Sequence, residues 1–177
     1  ESRRFVVTSA PGKRFSDDTK VTDMLYKCYD EAEAGKNFDK QLKAIEERYN
    51  EIIKGLGLKL SLKEQFETIR KNFEAKAGTD YAASRGEYLN GIIMANYLGY
   101  EFIDAASVIC FDANGEFDGE KTNKVMGDRL ANVESAVIPG FYGAMPNGAV
   151  KTFSRGGSDV TGSIVARAIK ADVYENW

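Results

Sequence analysis

Residues 153–162 read FSRGGSDVTG, a run of small residues that lies between a predicted strand and a predicted helix. The strand covers residues 150–153, and Val160, Ile164 and Val165 continue the chain at helical spacing. Successive glycines let backbone N–H groups approach a ligand closely, and the unpaired amides and dipole of a helix N-terminus favour an anion. The run therefore predicts a strand–loop–helix unit that can hold a phosphate or carboxylate group.

Short strands and helices alternate on the N-terminal side of this unit. The patterns predict strands at 4–9, 101–103, 107–111 and 136–138, helices at 19–34, 42–55, 61–77, 81–98 and 122–133, a hairpin turn at 146–148, and the start of a further strand at 172–177. This alternation predicts an α/β fold, a three-layer α/β/α sandwich with a mainly parallel central sheet, incomplete at both ends. The helix-rich stretch at about 17–77 is long for one crossover, so we expect an insertion there.

Composition excludes several classes of protein. The chain has 177 residues, 24 Lys and Arg against 27 Asp and Glu, and 43% apolar residues, which is typical of a folded protein and not of disorder or a basic nucleic-acid binder. The longest apolar run, at 105–111, is far shorter than the roughly 20 residues that cross a bilayer. We therefore expect neither nucleic acid nor membrane as a partner.

Two residue types limit the chemistry and the location. The sequence contains no histidine, which excludes Ser-His-Asp and Cys-His catalysis and His-ligated zinc. Cys28 and Cys110 lie far apart in apolar surroundings, which is typical of free buried thiols in a reducing compartment. The cysteine pattern therefore predicts a cytoplasmic protein without a disulfide.

Two further segments contain candidate ligand groups. Residues 84–87 read SRGE, and Glu87 lies near the predicted start of a helix, where it can receive a ligand ammonium group or simply face solvent. Residues 6–13 read VVTSAPGK and end a strand in a tight turn, which is either a ligand loop or an ordinary turn. Helix capping without any ligand is the alternative for Thr22, Asp23, Ser158 and Asp159.

Together these segments resemble the aspartokinases of the amino-acid kinase family. VVTSAPGK resembles the strand and loop that follow the family's first helix, SRGE its Ser-x-Gly-Glu substrate motif, and SRGGSDVTG its Arg-Gly-Gly-Ser-Asp signature. VIPGFYG, at 137–143, resembles the segment that precedes the last motif. Four segments in the family's order cover essentially the whole chain, so the resemblance implies that residues 1–177 are a partial amino-acid kinase catalytic domain.

The resemblance implies transfer of the ATP γ-phosphoryl group to the side-chain carboxylate of L-aspartate, with Mg²⁺ as the metal ion. This reaction needs no histidine, because a carboxylate with an intrinsic pKa of about 3.9 is already ionised at neutral pH. Positioning and the neutralisation of phosphate charge are what the protein must supply. The implied partners are L-aspartate, ATP and further copies of the chain in a homo-oligomer.

The resemblance also implies residue roles by motif position. Arg155 grips a substrate carboxylate and Glu87 binds the substrate ammonium group, while Asp159 organises the phosphoryl-transfer centre as the catalytic acid. Thr22 and Ser158 fix the rest of the substrate. The implied pocket and phosphate loops consist of Ser9, Ala10, Gly12, Gly156 and Gly157, and no metal ligand is implied.

Some family features have no counterpart in this sequence. The Lys-Phe-Gly-Gly loop, the Thr-Asp segment and the regulatory domains are missing, so the expectation is an internal piece of a kinase domain, inactive by itself. The alternatives are another amino-acid kinase, acting on glutamate, acetylglutamate or a nucleotide, and a non-catalytic assembly module that packs a partner against residues 19–77.

Overall fold

The computed structural model describes residues 4–154 and 156–176, which form six helices and five strands. The strands are β1 Phe5–Thr8, β2 Glu101–Phe102, β3 Ala136–Pro139, β4 Tyr142–Ala144 and β5 Val150–Thr152. The helices are α1 Val21–Glu33, α2 Asp39–Gly55, α3 Lys63–Glu74, α4 Thr79–Leu98, α5 Gly119–Leu130 and α6 Gly157–Ala168. None of the helices in these described ranges combines the length and the apolar character that a bilayer span requires.

The central sheet is parallel and has the strand order β1-β3-β2. Ala136, at the start of β3, is aligned with Phe5 of β1 on one side and Glu101 of β2 on the other. All four residues of β3 are buried, as expected for the middle strand of a parallel sheet covered on both faces. The predicted α/β class with a parallel central sheet is confirmed.

Helices cover both faces of this sheet. Ala136 and Ile138 of β3 point into an apolar core that includes Met126 of α5 and Val165 of α6. The alternate residue Pro139 points to the opposite face, where a Cβ atom on Gly91 of α4 would lie only 2.9 Å from its Cγ atom. Helix α4 and the α5–α6 pair therefore form the outer layers of a three-layer sandwich.

Helices α1 to α3 lie within the stretch that the sequence marks as helix-rich. They share a second apolar core with α4, in which Leu25, Ile45 and Phe73 are fully buried. The hydroxyl of Tyr49 in α2 donates a hydrogen bond of 2.7 Å to the carbonyl oxygen of Gly86 in α4. The SRGE segment is therefore supported from behind by this helical layer.

Two strand predictions are wrong. Residues 107–111 begin with the last residue of a 3₁₀ turn at Ala105–Ser107. Asp104 caps this turn, because its Oδ1 atom accepts a hydrogen bond of 3.0 Å from the Ala106 N–H. In the rest of the segment only isolated bridges form, at Cys110 and Phe111. Residues 172–176 form no strand and instead approach the start of α6, where the Tyr174 hydroxyl donates to the Asp159 carbonyl at 3.4 Å. Trp177, the last residue of that prediction, lies outside the described residues.

Several element boundaries also differ from the predictions. Helix α4 begins at Thr79, so the SRGE segment lies beyond its first turn rather than within it. Helix α5 begins at Gly119, because the Asp118 side chain accepts a hydrogen bond from the Lys121 N–H at 3.0 Å and caps the helix there. The predicted hairpin is confirmed, since β4 and β5 pair antiparallel around residues 146–148.

Both cysteines are free thiols, as predicted. Cys28 is fully buried in the helical core, and burial raises the pKa of its thiol to about 12. Cys110 is only partly buried, which differs from the prediction of a buried thiol. The structure therefore contains one unreactive and one partly accessible cysteine.

Candidate functional site

A cleft of about 530 Å³ opens beyond the carboxyl end of β1. It is enclosed by the ends of elements that are distant in sequence: the loop after β1, the starts of α1 and α6, the third turn of α4 and the loop after β3. Ligands of open α/β sheets bind at this edge of the sheet. The lining residues are Ser9, Lys20, Thr22, Asp23, Glu87, Phe141, Ser154, Gly156, Gly157, Ser158 and Asp159.

Most of the site residues proposed from the sequence come together here. The structure places in the cleft Ser9, Thr22, Glu87, Gly156, Gly157, Ser158 and Asp159. Ala10 and Gly12 are not among the lining residues, so their place in the pocket loop stays a prediction. Ala10 packs against α4, where a Cβ atom on Gly86 would lie 2.8 Å from its own, and the exposed Gly12 accepts a hydrogen bond of 2.5 Å from Arg48 Nη2. Arg155 lies outside the described residues.

Glu87 is the most unusual ionisable group in the cleft. Only 7% of the residue is exposed, and its Oε2 atom has no hydrogen-bond partner among the described residues. Burial raises the pKa of its carboxyl group to about 7, with the backbone amides of Glu87 and Ala10 partly opposing this shift. The alternative that Glu87 merely faces solvent near a helix start is wrong.

The local sequence explains why Glu87 is buried. Gly86 has no side chain, so α4 can approach the loop after β1 closely enough to contact Ala10. The neighbouring Arg85 is also buried, and its guanidinium carbon lies 4.5 Å from the ring centre of Tyr81 and 4.4 Å from that of Tyr88. Arg85 is therefore held by tyrosine rings, and no salt bridge within 4.0 Å joins it to Glu87 in the described chain.

Two helices direct their N-termini at the cleft. The N-cap of α1 is Lys20 and that of α6 is Gly156, and neither helix has a side-chain hydrogen bond at its cap. The alternative that the polar residues here only cap their helices is therefore wrong, because they lie inside the first turns and not at the N-caps. These residues are Thr22, Asp23, Ser158 and Asp159. The amides of these turns have no acceptor within their own helix, so together they favour a bound anion.

Close backbone packing fixes the start of α6. A Cβ atom on Gly157 would lie 2.6 Å from Cδ2 of Phe141 and 2.9 Å from its Cα atom. A Cβ atom on Gly140 would lie 2.8 Å from the Cα atom of Ser158. The helix start therefore rests directly on the connection between β3 and β4, and only glycine fits at these two positions.

Asp159 lies on the exposed side of the cleft. Its Oδ1 atom accepts a hydrogen bond of 3.3 Å from Asn176 Nδ2, and its backbone carbonyl accepts one of 3.2 Å from the Ser163 hydroxyl. The two acids of the cleft therefore have different environments, one exposed and one buried.

Sequence reasoning missed Lys20, Phe141 and Ser154 as lining residues, and it considered Asp23 only as a cap. Lys20 is the cation among the lining residues that the structure describes. Its place in the first turn of the helix predicted at 19–34, where the helix dipole disfavours a cation, was a usable signal. The sequence around Phe141 did not indicate that this residue lines a cleft. Its backbone is left-handed, with φ at 83°, and this conformation depends on contacts between segments that are distant in sequence.

A model of the amino acid kinase family matches residues 1–177. Aspartokinase 3 of Bacillus subtilis (strain 168) is 33% identical over 190 aligned positions, which cover 99% of this chain and 42% of that protein. Among solved structures, the aspartate kinase of Clostridium acetobutylicum is 51% identical with a TM-score of 0.95, over 99% of this chain and 40% of its own. Aspartokinase III of E. coli, solved in complex with aspartate and ADP in its R-state, is 25% identical with a TM-score of 0.76, over 95% and 40% of the two chains.

The alignments cover nearly all of this chain but only part of each relative. The chain spans about two fifths of the length of these relatives.

Proposed function

The chain belongs to the amino acid kinase family, and on this premise we propose that it carries the aspartate site of an aspartate kinase. The proposed enzyme transfers the γ-phosphoryl group of ATP to the side-chain carboxylate of L-aspartate, which yields ADP and 4-phospho-L-aspartate. The observation that carries this proposal is the buried carboxyl group of Glu87, whose Oε2 atom has no hydrogen-bond partner within residues 4–154 and 156–176, in a cleft lined by helix N-termini.

The cleft suits a small zwitterion with one cationic and two anionic groups. An ammonium group beside Glu87 supplies the missing partner of a buried carboxylate. Carboxylate groups are favoured at the starts of α1 and α6, where Thr22 and Ser158 add hydroxyl donors. Arg155 is assigned to the α-carboxylate by its motif position, as a bidentate donor.

The proposed reaction asks the protein for positioning and charge neutralisation. The attacking carboxylate is already ionised, so no residue has to remove a proton. Lys20 and the amides at the start of α6 neutralise phosphate charge, and Asp159 faces the donor side of the cleft. In this proposal Glu87 binds the substrate ammonium group through its buried carboxyl group and takes no part in the phosphoryl transfer.

Mg²⁺ is the metal ion of the proposed reaction. No group of three or more acidic, cysteine or histidine side chains there is placed to hold a metal ion. In this proposal the metal ion arrives with ATP and is held mainly through its phosphates, since Mg²⁺ keeps several water ligands and uses only one or two carboxylates. The cytoplasmic location and the homo-oligomeric state remain part of the same proposal.

A substrate panel tests the proposal. We expect the full-length protein to consume ATP with L-aspartate about 100-fold more efficiently than with L-glutamate or N-acetyl-L-glutamate, measured as kcat/KM in a coupled assay. The acetylated substrate has no ammonium group to pair with Glu87, and glutamate places its acceptor carboxylate one methylene farther away. Preference for either of these substrates would contradict the proposal and favour another amino-acid kinase.

Binding of L-aspartate is expected to depend on pH through Glu87. Because the pKa of the empty site is raised to about 7, this carboxyl group must lose its proton to pair with an ammonium group. The dissociation constant should therefore be about tenfold higher at pH 6 than at pH 8, with nearly one proton released per aspartate bound at pH 6. Calorimetry in buffers of different ionisation enthalpy measures both quantities, and a dissociation constant that is independent of pH would contradict the assignment.

A further inference from the structure

Thr161 is fully buried in the second turn of α6 and does not line the cleft. Its hydroxyl nevertheless connects two residues that do. It donates a hydrogen bond of 2.8 Å to the carbonyl oxygen of Gly157 and accepts one of 3.1 Å from the backbone N–H of Phe141. The first bond is local to the helix, whereas the second joins α6 to the connection between β3 and β4.

The backbone of Phe141 needs such support. Its φ of 83° is a left-handed conformation that residues with a side chain rarely adopt. Thr161 holds its N–H, and the N–H of Phe153 donates to its carbonyl oxygen at 2.8 Å. Both peptide groups of Phe141 are therefore fixed, one of them by a single hydroxyl.

This hydroxyl also sets the distance between two walls of the cleft. Gly157 begins the amide-rich turn of α6, and Phe141 lies against it so closely that a Cβ atom on Gly157 would overlap with it. Without the hydroxyl, the Phe141 N–H would lose its partner and the strained backbone could relax toward a more common conformation. Relaxation would move the Phe141 wall relative to the start of α6.

We propose that Thr161 is a positioning residue for the aspartate site, because its hydroxyl locks Phe141 and the first turn of α6 into one arrangement. This inference rests on the proposed function. It concerns substrate binding rather than the chemical step, because Thr161 is buried behind the wall and touches neither the cleft nor a reacting group.

Two substitutions distinguish the effect of the hydroxyl on substrate binding from the effect of the side-chain volume: Thr161→Val and Thr161→Ser. Valine has nearly the same shape without a hydroxyl, so we expect the KM for L-aspartate to rise about tenfold while kcat changes less than about threefold. Serine keeps the donor and acceptor, so its KM should stay within about threefold of wild type. Steady-state kinetics with saturating ATP on the full-length protein measures these values.

Thr122→Val is the matched control. Thr122 is equally buried, and its hydroxyl accepts from the Cys110 N–H at 2.9 Å and donates to the Cys110 carbonyl at 3.3 Å, but it does not line the cleft or contact its walls. Its valine variant should lower Tm comparably and leave the KM for L-aspartate unchanged. A merely structural role of Thr161 would make the two valine variants alike.

The outcomes distinguish this inference from the function on which it rests. A wild-type protein without aspartate-dependent ATP consumption overturns the proposed function. If the wild type is active, either of two results overturns the role of the hydroxyl. The KM of Thr161→Val for L-aspartate is normal, or Thr161→Ser is as impaired as Thr161→Val. If Thr161→Val does not fold, Thr161→Cys takes its place, because the cysteine thiol is a weak hydrogen-bond donor. Its KM for L-aspartate should lie between those of wild type and a variant without the hydroxyl. An unchanged KM would overturn the role of the hydroxyl.

Discussion

Replacement of Glu87 by Gln is expected to raise the dissociation constant of L-aspartate by about 100-fold or more, since a hydrogen-bonded charge pair in a buried site is worth about 3 kcal/mol. Gln has nearly the same shape but no charge to pair with an ammonium group. Calorimetric titration of L-aspartate measures the loss. A variant that binds L-aspartate as tightly as wild type would remove Glu87 from the site.

The same substitution should stabilise the ligand-free protein at high pH. The folded state raises the pKa of Glu87 from 4.5 to about 7, so the carboxyl group ionises less readily there than in the unfolded chain. Its stabilising contribution is therefore present at low pH and is lost as the pH rises through 7. Ionised Glu87 then lowers the free energy of unfolding by about 3 kcal/mol at pH 8, a penalty that Gln avoids.

Thermal unfolding at several pH values tests this second effect. Glu87→Gln should have a higher Tm than wild type at pH 8, and the difference should shrink as the pH falls and vanish below about pH 4.5, the pKa of Glu87 in the unfolded chain. Glu74→Gln, at an exposed position at the end of α3, is the control and should alter neither Tm nor aspartate binding. A difference in Tm that does not vary with pH would mean that the burial of charge is not its cause.

Gly157→Ala is expected to impair both stability and aspartate binding strongly. The new methyl group would lie 2.6 Å from the Phe141 ring and 2.9 Å from the Phe141 Cα atom, and backbone cannot rotate away as a side chain can. Overpacking of this kind costs about 1–3 kcal/mol of unfolding free energy. Displacement of the α6 start should also lower kcat/KM for L-aspartate about 100-fold.

Gly55→Ala is the matched control for this prediction. Gly55 is the last residue of α2, and no atom within 4 Å would meet its Cβ atom. Alanine in a helix is favoured over glycine, so this variant should keep its activity and gain up to about 1 kcal/mol of stability. Wild-type Tm and kcat/KM in Gly157→Ala would show that the start of α6 tolerates a shift.

The strand and helix pattern was predictable where a short segment determines its own structure. The apolar run at 136–138 and the glycine-rich loop at 153–162 each specify local geometry, and both predictions agree with β3 and the start of α6. Residues 107–111 have the composition of a strand, but they follow a turn capped by Asp104 and find only isolated partners. Strand pairing depends on neighbours that a local pattern does not contain.

The candidate site shows the same limit. Each cleft segment was visible in the sequence, because glycines, hydroxyls and acids cluster at the ends of predicted elements. The burial of Glu87 was not, since it requires α4 to begin before the predicted residue and Gly86 to meet Ala10 from another layer. The left-handed Phe141 was equally hidden, because its backbone is held by Thr161 across the fold.

The parallel register between β1 and β3 constrains the order in which the chain folds during its synthesis. β1 leaves the ribosome before α1 to α5, yet its paired partner in the sheet is β3, which follows all of these helices. The helical core of α1 to α4 is complete well before β3 emerges, and it can collapse on local contacts alone. Nascent intermediates of this protein should therefore contain a formed helical layer before β1 and β3 pair.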